Sequence, residues 1–114
     1  MRLQHTFTTS WSAMNPVWSY HAQARWRMRV GGHLPHRGTV WWVGRYDRYT
    51  GWLLRWRHRY WVLVTAKDQE RMIVVSVWKP QWWYDRLATL ASDPHARDIH
   101  AAMTTLQDYV ALAQ

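Results

Sequence analysis

Two five-residue segments carry the most pointed chemistry in this sequence. Arg25-Trp26-Arg27-Met28-Arg29 and Arg55-Trp56-Arg57-His58-Arg59 share the form R-W-R-x-R. On a β-strand, side chains two positions apart lie on one face, and a rise of about 3.3 Å per residue spaces them roughly 6.6 Å apart. Each triplet then forms a row of guanidinium groups, whose planar forks suit phosphate. Rows of like charge repel unless an anion lies across them, and a polyanionic backbone supplies that counter-charge along its length. Arg37, Arg45 and Arg48 extend the same surface from nearby loops. The plainer reading is that alternating Arg keeps one face of an antiparallel sheet wet. A solvated face would mix in Thr, Ser, Lys and Glu, whereas both rows are built of Arg alone.

The aromatic residues point to the same surface. Eleven Trp and six Tyr stand beside a single Phe, so nearly every ring carries a polar handle suited to an interface as well as to a core. Trp26, Trp56 and Trp83 fall on predicted core faces. Trp41-Trp42 and Trp82-Trp83 are adjacent pairs, so the members of each pair point in different directions and one is expected to be exposed. Trp41, Trp42, Tyr46, Tyr49 and Trp52 are the candidates to stack on a splayed base. The same rings would also serve as anchors at a protein interface, where Trp, Tyr and Arg are enriched.

Other chemistry is thin. His33-x-x-His36 could offer two metal ligands, but there is no Cys and carboxylates are few, so no metal site and no cofactor are expected. His58 between Arg57 and Arg59, with Tyr60 and a second His from the 33–36 loop, could supply the acid, base and phosphate clamp of a metal-independent ribonuclease. Against that, His58 alternates with Trp56 and Tyr60 on the face assigned to the core, so a structural histidine is expected and the chain is read as a non-enzyme. No P-loop, dinucleotide fingerprint or G-x-S-x-G elbow is present, nor any RRM, KH or helix-turn-helix pattern.

Length and charge frame these residues. A chain of 114 residues is one domain, expected over 1–114, with enough buried surface for a real core. Thirteen Arg and two Lys against seven acids give +8, which calls for an anionic partner. Residues 1–60 hold ten Arg and one acid, Asp47, whereas residues 61–114 hold five basic residues and six acids. The first part thus builds the basic surface and the second is scaffold. No apolar run reaches membrane-spanning length and no apolar signal core follows Met1, so a soluble, intracellular protein is expected.

The elements that must position these residues follow from periodicity. Residues 1–20 read as an irregular arm with one short strand near 4–9. Ala24, Trp26, Met28 and Val30 alternate with Arg and predict a strand over 24–30, closed by Gly31-Gly32. Further strands are predicted over 39–46, 53–65 and 72–78, the one over 53–65 leaving solvent or bending where Trp61 and Leu63 replace Arg on one face. Two helices follow, over 82–91 and over 94–113, the second started by Asp93 as N-cap and Pro94. The expected fold is α+β: about four antiparallel strands with both helices on one face, leaving the Arg face open. The expected function is binding of nucleic acid, or a nucleoprotein, through that face. The alternative is an interaction module or inhibitor, such as a viral or mobile-element accessory protein, gripping an acidic protein partner.

Overall fold

The computed structural model describes residues 8–90, 101–104 and 106–107. Strand β1 (Thr8–Ser10), a single 3-10 turn (Ser12–Met14), strand β2 (Val17–Trp18) and helix α1 (Tyr20–Arg29) precede a meander of four long strands. These are β3 (Thr39–Tyr46), β4 (Tyr49–Trp56), β5 (Arg59–Asp68) and β6 (Arg71–Trp78), and helix α2 (Pro80–Ala88) follows. The strands lie in the order β1-β3-β4-β5-β6-β2. Every neighbouring pair is antiparallel except β2 with β6. The class is α+β as expected, but among the described residues the sheet has six strands and is mixed, where about four antiparallel strands were predicted. One predicted strand is a helix, one divides into two, and the arm supplies two more, Thr8–Ser10 and Val17–Trp18, which complete the sheet edges.

The first basic segment is helical, which corrects the predicted strand over 24–30. Ser19 is the N-cap, its hydroxyl accepting from the Ala22 N–H at 3.0 Å. Ala22 and Trp26, four apart, are fully buried on one helical face, with Val30 packed beside them. Met28, which the alternation placed in the core, is 71% exposed. Ala, Gln, Arg and Met are all good helix formers, and over so short a span their propensities outweigh an alternation that a helix also permits. Gly31, at φ +84°, ends the helix, and its N–H reaches back to the Trp26 carbonyl at 2.8 Å.

The second basic segment is a hairpin, which corrects the single strand predicted over 53–65. Arg57 and His58 both have positive φ, +50° and +68°, and form a two-residue turn between β4 and β5. The register pairs Arg55 with Tyr60 and Trp56 with Arg59. Across such a turn the parity of each face reverses. Trp52, Leu54, Trp61 and Leu63 therefore share one core, and Leu53, Val62 and Val64 share the other. The exchange of Arg for Trp61 on one face, read as a bend, is this reversal.

Helices cover both faces, which corrects the placement of both on one side. Trp26 of α1 packs with Trp11, Trp52, Leu63 and Val74 on the first face. There Trp11, Trp18, Trp26 and Trp56 form a chain of edge-to-face contacts with centroids 5.5 to 6.4 Å apart. The indole N–H groups of Trp11, Trp26 and Trp56 are buried without a hydrogen-bond partner in that cluster, and edge-to-face rings offer such groups a weak π acceptor. On the second face, Trp83 and Leu87 of α2 pack with Val43, Leu53, Ala102 and Leu106. Helix α2 corresponds to the helix predicted over 82–91, and Pro80 at its first turn suits an N-terminus. Residues 101–104 and 106–107 are helical, within the span predicted over 94–113, and the Asp93-Pro94 start lies outside the described residues.

Candidate nucleic-acid interface

With a helix on each face, the six Arg of the two segments cannot form one open rail. Arg55 and Arg59 stand on opposite faces by register, and Arg57 occupies the turn between them. All three are exposed. The Arg57 guanidinium lies 6.0 Å from the Trp56 ring and would stand 3.1 Å from a side chain at Gly32, so the α1–β3 loop closes against this turn. His58, expected on the core face, is exposed at the turn.

Helix α1 builds a different arrangement. His21, Arg25 and Arg29 are four apart, so they form one stripe whose neighbours are about 6 Å apart along the axis. Arg25 Nε donates to His21 Nε2 at 3.3 Å, and its terminal nitrogen lies 3.7 Å from Met28 Sδ. Arg29 donates to the backbone carbonyl of Val77. That carbonyl lies on β6 beyond the short stretch paired with β2, so the guanidinium caps the uncovered part of a sheet edge. Arg27 is exposed but lies off this stripe.

The stripe ends on a tryptophan. Trp82 of α2 is 41% exposed, and the Arg29 guanidinium lies 4.8 Å and the Lys79 ammonium 5.3 Å from its ring centroid. Its neighbour Trp83 is fully buried and donates its indole N–H to the Val43 carbonyl at 2.7 Å, so the pair divides as the sequence predicts. Burial, and secondarily the charge of Arg25, lower the Arg29 pKa from its ordinary value. Two guanidinium groups one helical turn apart, one of them partly desolvated, favour an anion across them.

At the other end of the meander, Arg45, Arg48 and Arg86 gather around two tyrosines. Arg48 lies 5.3 Å from the Tyr49 ring and donates to its hydroxyl at 3.3 Å, which is the main cause of a raised Arg48 pKa. Arg86 lies 5.4 Å from the Tyr46 ring, and Arg45 Nε donates to the Asp47 backbone carbonyl at 3.2 Å. No Arg in either group is paired with a carboxylate among the described residues.

The remaining predicted site residues are dispersed. Arg37 is exposed in the α1–β3 loop. Trp41 and Trp42 are both half-buried, so neither stands free as the adjacent-pair argument required. The register sets Trp41 opposite Leu53 and Trp42 opposite Trp52, so the two rings lie on opposite faces of the sheet and each meets a core. Trp52 is 8% exposed, a core residue whose indole N–H donates to the buried Thr65 hydroxyl at 3.2 Å, which corrects its assignment as a stacking ring. Lys79, Trp82 and His21 were missed. The signal for His21 was the 21, 25, 29 spacing, legible once the segment is assigned to a helix, and that for Trp82 was its place beside a core Trp83. Among the described residues no group of three or more His, Asp or Glu is placed to hold a metal, and no helix is long and apolar enough to cross a membrane. The chain matches no family model, no curated protein and no solved structure.

Proposed function

We propose that this protein binds nucleic acid, mainly through phosphates, along the outer stripe of α1 and the adjoining Lys79 and Trp82. One observation carries the reading: Arg25 and Arg29 lie one helical turn apart without a carboxylate partner among the described residues, and Arg29 and Lys79 lie 4.8 and 5.3 Å from the Trp82 ring centroid. The spacing of about 6 Å suits successive phosphates as well as the predicted strand rail did, on a different element. The excess of Arg over Lys adds planar donors that grip phosphate in two places at once. Contacts of this kind fix orientation on a backbone and carry little base preference.

Titration of the full chain with short single- and double-stranded DNA and RNA at two salt concentrations, followed by Trp fluorescence, tests the proposal. The expected result is binding that weakens steeply with salt. Absence of binding at low salt would overturn it, and the Arg29, Lys79 and Trp82 corner would then be used as bait for an acidic protein.

A further inference from the structure

Resting on that reading, we propose that the groove over β5 and β6 receives one unpaired nucleobase of a single strand whose phosphates follow the α1 stripe. The groove has a volume of about 460 Å³, within the range of roughly 300–1,000 Å³ typical of small-ligand sites. Its lining includes Tyr46, Tyr49 and Trp78 as rings, Val64 and Val75 as apolar surface, and His21 at the start of the α1 stripe.

The rings are held in place before any ligand arrives. Tyr46 and Trp78 each lie 5.7 Å from Trp83, which is fully buried and anchored to the Val43 carbonyl, and Tyr46 lies 5.6 Å from Tyr49. Polar groups are few and directional. The Ser76 hydroxyl accepts from the Trp78 indole at 3.1 Å and keeps its own proton to donate. His21 Nε2 accepts from Arg25, so the neutral ring carries its proton on Nδ1 and can donate from there.

Charge specifies the occupant. Arg48 over Tyr49, Arg86 over Tyr46 and Arg25 on His21 place cations around the lining, and among the described residues no Asp or Glu is part of it. A flat, apolar site with hydrogen-bond donors, surrounded by cations, fits a planar heterocycle attached to phosphate. Bases in a duplex are stacked inside and their faces are unavailable, so the occupant must be unpaired. The Arg25 and Arg29 guanidinium groups then lie along the path of the phosphates leaving the groove.

Competition binding with the full chain, using four twelve-unit probes, separates this proposal from the phosphate reading. The probes are an oligothymidylate, an oligouridylate, an abasic strand with the same number of phosphates, and a duplex. The base-bearing single strands are expected to bind about tenfold more tightly than the abasic strand. Whichever of the DNA and RNA strands exceeds the abasic one identifies the sugar that is accepted. Val75→Phe, which fills the groove, should abolish that difference and leave abasic binding unchanged, and Tyr49→Ser should do the same by removing a wall. Circular dichroism melting establishes that each variant is folded. Equal affinity for base-bearing and abasic strands would overturn the groove and leave the phosphate reading intact, whereas no binding of any probe would overturn both. A base preference that survives in both folded variants would also overturn this placement.

Discussion

Trp83 and Gly51 show how closely single side chains constrain the second face of the sheet. A Cβ added at Gly51 would lie 2.5 Å from the Trp83 ring, closer than any relaxed contact, so the indole packs directly on the β4 backbone. Trp83 in turn braces Tyr46 and Trp78. Gly51→Ala is therefore expected to destabilise the protein by about 1–3 kcal/mol through overpacking, read as a lower urea midpoint with an unchanged slope. Arg25 and Arg29 differ at this scale despite their shared stripe. Arg25 is bonded only to exposed groups of its own helix, so Arg25→Ala should leave stability within about 0.5 kcal/mol and flatten the salt dependence of single-strand binding by about 0.7 log units per log unit. Arg29 also holds the Val77 carbonyl, so Arg29→Ala should lower both binding and the melting temperature. Equal stability losses in the two variants would show that the edge cap contributes nothing.

At the scale of elements, the β4–β5 hairpin carries strain that its sequence does not relieve. Arg57 and His58 both occupy the left-handed region, which costs a non-glycine residue roughly 1–2 kcal/mol and is favoured by Asn and Gly. Replacing the pair by Asn-Gly is expected to raise stability by about 1 kcal/mol in denaturant titrations, and a loss would show that the Arg57 contact at Gly32 outweighs the strain. The absence of turn residues here is also why this hairpin was not legible in the sequence. Its trace was the switch of apolar residues from even positions, Trp52, Leu54 and Trp56, to odd ones, Trp61 and Leu63, which a two-residue turn requires. By contrast β3 and β6 lie where their β-branched and aromatic runs predict, since Gly38, Asp47 and Pro80 bound them clearly. The α1 segment failed for a different reason. Over seven residues an Arg alternation fits both periods, and the decisive cue, Ser19 as N-cap, sat in a stretch assigned to an irregular arm. The cationic character of the site was thus legible from composition, whereas its geometry depended on one turn and one helix that local pattern left ambiguous.

At the scale of the whole molecule, the charge asymmetry along the chain becomes an asymmetry in space only in part. Arg29 from the basic first half lies against the Trp82 ring from the balanced second half, as Lys79 also does, so the proposed site joins residues some fifty positions apart through the packing of α1 beside β6. A ligand spanning this junction should stabilise the fold as a unit. Binding to the native state alone adds about 2.7 kcal/mol when free ligand is a hundredfold above Kd, which for a domain of this size raises the melting temperature by roughly 10 °C. With Arg25, Arg29 and Lys79 as the phosphate contacts, the logarithm of affinity for a single strand should fall with the logarithm of salt at a slope of about −2. The two quantities are linked. Raising salt tenfold should lower affinity about a hundredfold and remove most of the thermal shift at fixed ligand concentration, and doing so in the Lys79→Ala variant should produce a shallower loss. A thermal shift that persists unchanged at high salt would mean that the ligand is held by apolar contacts alone, and the cationic stripe would have no part in binding.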